Sequence, residues 1–311
     1  MAVRPAPLAQ PAPVAGRPLS LRAIIEREGT FSWLMLAPGV LFLLAFVAYP
    51  FFYGIFLSLQ DRPVARTGVF VGLANFATLI HDAVFWQVTS NMFVYTSVTT
   101  VFKLAGGLAM AVIMDQQFRG KNLARAFVLL PFIVPTALST IAWMWIFDPT
   151  FSVINWLLMH GGVIQTGFSW LGNSTLAMVS IIIVNIWRGM PFYGITLLAG
   201  LQTISPELYE VASIDGATTR QRFWHVTMPL IMPVLIIVTM FSVIFTFSDF
   251  QLIYALTHGG PANATHVFST YAFDIGMSAG QLGMGAAVAL AILPALAVLI
   301  VGLTIYLRRE S

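Results

Sequence analysis

Two sets of residues combine hydrogen-bonding side chains with an aromatic ring at the spacing of one helical face. Each set occupies positions i, i+3, i+4 and i+7, which fall on the same side of an α-helix. The sets are Asn185, Arg188, Gly189 and Phe192, and Ser242, Phe245, Thr246 and Asp249. Polar atoms of this kind satisfy the hydroxyl groups of a polyhydroxylated ring, while phenyl groups cover its apolar face. The two faces therefore predict the lining of a path for a hydroxyl-rich solute.

Ionisable side chains within apolar stretches also have a structural interpretation. Arg188 can pair with Asp249 or with carbonyl groups at a helix end, and so hold helices together without touching a solute. Lys103 can face a lumen, extend toward the membrane surface or pair with another side chain. For Lys103 the structural role is favoured, whereas for Arg188 both roles stay open.

Sequence motifs for catalysis and nucleotide binding are absent. The chain has no cysteine, which excludes disulfides, zinc–thiolate sites and thiol nucleophiles. Its Gly120-Lys121 pair lacks the preceding glycine and the following Ser or Thr of a phosphate-binding loop. The five histidines show no paired spacing for a metal ion. We therefore expect a protein that is not an enzyme and that has no cofactor and no metal site.

The composition indicates an all-α membrane protein. Of the 311 residues, 58% are hydrophobic and 9% are charged, and the net charge of +3 is too small to indicate a nucleic-acid partner. The proline-rich residues 1–28 cannot bury a core, so we expect a disordered cytoplasmic tail followed by one transmembrane domain over 29–311. Six apolar stretches long enough to cross a bilayer lie at about 31–56, 88–113, 124–147, 176–198, 229–248 and 284–307.

The distribution of Lys and Arg predicts the orientation of these six helices. Positive residues collect on the cytoplasmic side of membrane helices. Most of them lie in the N-terminal tail, in the connections 114–125 and 199–228, and at the C-terminus. The connections on the other side contain only Arg62 and Arg66. Both termini are therefore predicted to be cytoplasmic.

The cytoplasmic connection between the fourth and fifth spans has the signals of two short helices. Ser205 is a suitable N-cap, and Gly216 suits the left-handed position that ends a helix, so we predict a helix over 206–214. Thr218 or Thr219 can cap the second helix. The unit is predicted to be a helix–turn–helix.

Small and acidic residues give this connection a surface that another protein can approach. Ala212, Gly216 and Ala217 cluster at the bend, and Glu210 and Asp215 supply carboxylates for arginines of a partner. A helix that lies on the membrane surface would explain the same residues. The residues alone do not separate these two alternatives.

Three motifs resemble permease subunits of binding-protein-dependent ABC importers, over about residues 31–308. The EAA motif of that family reads Glu-Ala-Ala, three residues, Gly, nine residues, Ile-x-Leu-Pro. Its counterparts here are Glu210, Val211, Ala212, Gly216, Val226, Met228 and Pro229, with apolar departures at Val211, Val226 and Met228. The stretches Trp187-Arg188-Gly189-Met190-Pro191-Phe192 and Leu256-Thr257-His258-Gly259-Gly260-Pro261 are similar to the carbohydrate branch of the family.

The resemblance implies a type I ABC importer permease fold in the bacterial cytoplasmic membrane. In that family the EAA loop docks into the ATP-hydrolysing subunit, which implies an ATPase-coupling role for Glu210, Ala212, Asp215 and Gly216. In the maltose permease the corresponding regions of two helices line the sugar site, which implies a substrate path along the two polar faces. The implied partners are an ATP-binding subunit dimer, a second related permease, a soluble solute-binding protein, membrane lipid and a sugar or polyol.

A secondary transporter driven by an ion gradient is the alternative function. It would need no ATPase, but it would need carboxylates within the membrane for ion coupling, and Asp249 alone supports it weakly. The sequence leaves open which sugar, polyol or glycerol phosphate is carried. It also leaves open whether the second permease is a related chain, which is favoured, or a copy of this one.

Overall fold

The computed structural model describes residues 28–310, so all but the last residue of the predicted tail at 1–28 lies outside the described residues. Contacts divide the chain into two units, Met1–Tyr53 and Gly54–Ser311. In the first unit, α1 (Glu28–Leu43) continues through a π-helical turn into α2 (Tyr49–Ser58), whose residues from Gly54 onward are assigned to the second unit. The stretch Ser32–Ser58 is long and apolar enough to cross a membrane, as predicted for 31–56.

The second unit is mostly helical. Two short strands, β1 (Gln60–Asp61) and β2 (Val69–Phe70), form an antiparallel hairpin. The helices are α3 (Ala74–His81), α4 (Ala83–Asp115), α5 (Lys121–Ile133), α6 (Thr136–Ile146), α7 (Val153–His160), α8 (Ser174–Leu201), α9 (Pro206–Ile214), α10 (Thr219–Arg222), α11 (Met228–Phe247), α12 (Gln251–Thr257), α13 (Phe268–Phe273), α14 (Leu282–Ala291) and α15 (Leu293–Glu310). A π-helical turn, Phe223–Thr227, joins α10 to α11, and a second, Asp274–Ser278, follows α13.

Four stretches of the second unit are long and apolar enough to cross a membrane. They are Ala83–Asp115, Ser174–Leu201, Thr219–Phe247 and Leu282–Gly302, and they overlap the spans predicted at 88–113, 176–198, 229–248 and 284–307. Over the described residues the chain has five such helices, or six if α5 and α6 together form one span.

The span predicted at 124–147 differs from the structure because it is broken in the middle. The axes of α5 and α6 meet at 91°. Val134 has an extended backbone, with φ −63° and ψ 129°, and Pro135 follows it at the start of α6. A residue before proline avoids the helical conformation, and proline has no N–H to donate. Hydropathy measures the length of an apolar stretch and does not detect such a break.

The core of the second unit is built around the pair α4 and α8. Val88, Met92 and Tyr95 of α4 are fully buried. Farther along, Gly107 lies so close to α8 that a Cβ atom at this position would overlap the Cβ of Tyr193. Helix α11 packs against the same pair through a second apolar cluster. These three helices form the frame that holds the polar side chains described next.

Candidate functional site

A cavity of about 290 Å³ lies between α4, α8 and α11 and extends to the start of α12. All eight residues of the two predicted faces line it: Asn185, Arg188, Gly189 and Phe192 of α8, and Ser242, Phe245, Thr246 and Asp249 of α11 and the residues after it. The tertiary structure therefore brings the two faces to a single site. Lys103, Phe132, Ser248, Phe250 and Gln251 complete the lining.

Asp249 is the carboxylate of this cavity, and one of its oxygens is already engaged. The Tyr95 hydroxyl donates a hydrogen bond of 2.8 Å to Asp249 Oδ2, and Asn185 Nδ2 donates to the same oxygen at 3.0 Å. Among the described residues, none donates a hydrogen bond to Asp249 Oδ1. This second oxygen remains available to accept a hydrogen bond from a solute hydroxyl.

Lys103 is the cation that is linked to this carboxylate. Its ammonium group donates to Asn185 Oδ1 and to Thr246 Oγ1, each at 2.9 Å. The Asn185 amide thus lies between the positive and the negative group, and the network joins α4, α8 and α11. Only 3% of Lys103 is exposed, yet it lines the cavity. Lys103 therefore both pairs with other side chains and faces the cavity, which the sequence analysis treated as alternatives.

Arg188 has a different partner from the one that the structural interpretation offered. Its Nη1 donates a hydrogen bond of 2.7 Å to Thr136 Oγ1, at the first residue of α6, whereas Asp249 is held by Tyr95 and Asn185. The contact ties the cavity wall to the helix that begins after the bend. Arg188 also lines the cavity, and a guanidinium group has five N–H donors, more than this one bond uses.

Aromatic rings cover one side of the cavity. Phe132 of α5 stacks on Phe192, with ring centroids 5.8 Å apart, and Phe192 meets Phe245 edge to face at 6.3 Å. Phe245 also stacks on Phe241, and 61% of it is exposed, so part of this residue is accessible. Hydrogen-bond donors, a carboxylate acceptor and apolar rings together suit a polyhydroxylated ring. Within residues 28–310, no three His, Asp or Glu side chains come together in a metal-binding arrangement.

Sequence reasoning did not place Tyr95 or Phe132 at this site, and for Lys103 it favoured a structural role over one that faces the lumen. Lys103 carried a detectable signal, because a lysine within an apolar span is itself a candidate for a site. Tyr95 lies two helical turns before Lys103 on α4, but nothing in the sequence relates it to Asp249. Phe132 reaches the cavity from α5, just before the bend, which the apolar pattern of 124–147 does not reveal.

The connection between α8 and α11 folds as predicted into two short helices. Helix α9 covers the predicted residues 206–214, and Ser205 occupies the N-cap position, although its side chain makes no capping hydrogen bond. Gly216 has a φ of +78°, and the N–H groups of Gly216 and Ala217 donate to Ser213 and Ala212, which is the Schellman arrangement. Of the two possible caps of the second helix, Thr218 is the one used, in a capping box with Gln221.

The exposed face of α9 mixes apolar and acidic side chains. Leu208, Val211 and Ile214 are 45%, 57% and 85% exposed. Glu210, Asp215 and Gly216 are also exposed, whereas Ala212 is half-buried. A face of this composition suits contact with another protein. Three of the four predicted coupling residues lie on the accessible surface, and Ala212 lies on the covered side.

The turn that contains Gly259-Gly260-Pro261 is anchored to α4. Asn91 Nδ2 donates to the backbone carbonyls of Asn263 and His266, at 2.9 and 3.1 Å. His266 is buried, and Gly259 lies against its ring so closely that a Cβ atom there would overlap it. Burial lowers the pKa of His266, while the negative charge of Asp274 raises it in part. The imidazole is therefore favoured in its neutral form.

Long apolar helices around a polar cavity, with a helix pair at one end, define a multi-pass membrane transport protein. Residues 103–310 match the family described as "Binding-protein-dependent transport system inner membrane component". The chain belongs to this family, whose members are permease subunits and not enzymes, and it is a multi-pass protein of the cytoplasmic membrane.

Several curated relatives align with most of the chain. The trehalose/maltose transport system permease protein MalF of Thermococcus litoralis is 34% identical over 85% of this chain and 89% of its own length. The inner membrane ABC transporter permease protein YcjO of Escherichia coli is 32% identical over 83% of this chain and 87% of its own. The predicted resemblance to carbohydrate ABC importer permeases is confirmed.

Solved structures share the fold. A chain of a bacterial ABC transporter "involved in the import of the acidic polysaccharide alginate" superimposes with a TM-score of 0.79 at 22% identity, over 92% of this chain and 97% of that chain. A chain of the alginate transporter in complex with its pentasaccharide-bound periplasmic protein gives a TM-score of 0.80 at 21% identity, over 93% and 97%. The fold is that of an ABC importer permease.

Proposed function

We propose that this chain is one of two transmembrane subunits of an ATP-driven importer for a sugar or sugar-like solute that a soluble binding protein delivers. Both termini would be cytoplasmic, and the segment 205–229 would couple the chain to a separate ATPase. The second subunit would be a related permease that completes the lumen. The chain itself would contribute no nucleotide site.

One observation carries this proposal: the two helices that bear the cavity faces are the two that flank the α9–α10 helix pair. Helix α8 ends at Leu201, and α11 begins at Met228, so the segment with α9 and α10 connects them directly. A partner that moves this segment would therefore act on both walls that carry the predicted solute contacts. This arrangement is what coupling between ATP hydrolysis and a solute site requires.

The chemistry of the cavity supports a sugar as the solute. Asp249 Oδ1 is an acceptor for hydroxyl groups, while Lys103 and Arg188 are donors. Phe192 and Phe245 supply apolar ring faces of the kind that pack against pyranose rings. The named substrates of relatives, trehalose and maltose among them, belong to the same chemical class.

The exposed face of α9 supports docking of an ATPase. Its apolar side chains, Leu208, Val211 and Ile214, would enter a cleft of the partner, and Glu210 and Asp215 would pair with arginines at the rim. In this mechanism, closure of the ATPase dimer would move the helix pair and turn the cavity outward. Reopening after hydrolysis would turn it inward.

Co-purification from detergent with a tag on this chain tests the proposal. We expect an ATPase and a second permease to be identified by mass spectrometry. We also expect ATP hydrolysis by the complex to increase when the binding protein and one of trehalose, maltose, a polyol or glycerol phosphate are added. Recovery of the chain alone, together with uptake that follows an ion gradient, would favour the secondary transporter instead.

A further inference from the structure

Within the part of the chain that the structure describes, helix α9 buries no apolar side chain. None of its nine residues is buried, and its large apolar side chains point outward. A helix attached only by its two chain ends would change its angle freely when a partner pushes on it. What holds α9 in place therefore decides how its movement reaches the membrane helices.

Two side-chain hydrogen bonds tie α9 to the segment that leads into α11. The Tyr209 hydroxyl and Thr227 Oγ1 are 3.0 Å apart, and Thr227 is buried in the π-helical turn immediately before α11. Arg222 Nη1 donates to Ser213 Oγ at 2.9 Å. Its Nη2 donates to Thr219 Oγ1 at 3.3 Å, so one guanidinium group contacts both short helices.

No equivalent tie joins α9 to the end of α4 among the described residues. A cavity of about 230 Å³ lies there instead, lined by Tyr209, Arg222 and Thr227 on one side and by Asp115 and Gln116 on the other. Helix α9 is thus bonded toward α11 and separated from α4 by open space. A force on α9 is therefore passed to α11 through these hydrogen bonds, and α9 can shift relative to α4.

We propose that Tyr209 and Arg222 are positioning residues that make α9 a rigid extension of α11. Through them, movement of the docked ATPase is transmitted to the helix that carries Ser242, Phe245 and Thr246 into the solute cavity. The inference rests on the proposed function, because it needs an ATPase that docks on α9. It adds that the ATPase docks on the exposed side chains of α9, whereas Tyr209 and Arg222 transmit its movement to α11.

The test removes one hydroxyl from the Tyr209–Thr227 pair at a time. Tyr209→Phe, Thr227→Val and the double variant are made in a chain with Ser248→Cys, which carries an environment-sensitive fluorophore at the edge of the solute cavity. The chain has no natural cysteine, so position 248 is the one labelled site that it contributes. The same complex with Ser248 retained, treated with the same fluorophore, gives the signal from the cysteines of the other subunits. The probes are ATP and orthovanadate, added to the complex that co-purifies with the tagged chain.

We expect each single variant to retain the ATPase and to hydrolyse ATP, while the fluorescence response to ATP and vanadate falls by about fivefold, the factor that one hydrogen bond supplies. The fluorescence response of the double variant should be no smaller than that of either single variant, because both substitutions break the same hydrogen bond. Thr203→Val is the matched control, since it removes a hydroxyl from the same connection that bonds only to the nearby Gly200 carbonyl. Ser213→Ala and Arg222→Gln should repeat the pattern.

Three results would overturn the inference while leaving the proposed function intact. They are an unchanged fluorescence response in the Tyr209→Phe variant, loss of the ATPase from that variant's complex, and additive losses in the double variant. If the labelled parent chain co-purifies with an ATPase but shows no response, movement does not reach the cavity and the inference also fails. If no ATPase co-purifies with the parent chain, the proposed function itself fails.

Discussion

The solute cavity and the α9–α10 pair are shaped by contacts of different range. In the cavity, Tyr95 bonds Asp249 across 154 positions of sequence, and Lys103 bonds Asn185 across 82. In the helix pair, the capping box joins Thr218 to Gln221, three positions away. The cavity therefore depends on the packing of the whole bundle, while the helix pair depends on its own sequence. Substitutions in the cavity should therefore have larger effects on stability, and effects farther from the substituted residue, than substitutions in the helix pair.

The largest effect is expected from breaking the polar network of the cavity. Lys103→Met removes the ammonium group that donates to the buried Asn185 and Thr246 side chains, and we expect the free energy of unfolding to fall by about 3 kcal/mol, because two hydrogen bonds from a charged donor are lost. Asp249→Asn should also destabilise the protein. Unfolding of the detergent-purified protein in a temperature ramp measures both.

The double variant Lys103→Met with Asp249→Asn tests whether the two charges act as a pair. Removing both leaves no uncompensated charge, so the double variant should be more stable than the less stable single variant. If the stability losses of the two single variants simply add, the two charges act independently. The contacts between distant parts of the chain in the cavity would then stabilise it by packing alone.

A smaller effect on stability, but a complete effect on coupling, is expected at the bend of the helix pair. Gly216 has a left-handed backbone, and a residue with a side chain there costs about 1–2 kcal/mol. We expect Gly216→Asp and Glu210→Arg to leave the protein in the membrane and to abolish the ATP hydrolysis that accompanies transport. Membrane amounts by immunoblot and hydrolysis rates measure the two outcomes. Normal coupling in both variants would remove the ATPase-docking role from this segment.

Loss of the cap at Thr218 should stay local. Thr218→Ala removes the side chain that accepts from the Gln221 N–H, which costs about 1 kcal/mol of helix stability. Hydrogen exchange should become faster at the α10 amides and remain unchanged around Asp249. Faster exchange at the cavity would contradict the separation between the two regions.

The smallest effect concerns His266, which belongs to neither region. Its pKa in the folded protein is lowered by burial, so the unfolded chain takes up a proton first as the pH falls. Stability should be complete above the ordinary histidine pKa of about 6.5 and should decrease as the pH drops below it. Unfolding temperatures at several pH values should show this decrease in the parent chain and a smaller one in His266→Asn. Identical pH profiles would exclude His266 as the titrating group.

The features that sequence predicted well are those with a local origin. Seven of the eight predicted residues reach one cavity because helical periodicity already places them on one side of their helices, whereas Asp249 lies two residues beyond the end of α11 and is placed by the turn that follows it. Helix α9 and its left-handed end at Gly216 follow from a proline near the start and a glycine after the end, which act within one turn. The apolar stretches follow from composition.

Only the tertiary structure decided which side chains complete the cavity. Phe132 enters the site from the end of α5, just before the break at Pro135. The packing of α4 against α8 places Lys103 against Asn185, and the packing of α4 against α11 and the residues after it gives Asp249 its partner Tyr95. Such contacts depend on how helices pack, and the periodicity of one helix carries no information about its neighbour's rotation or angle. Sequence thus determined the faces and the helix pair, and packing determined the charge network between the faces.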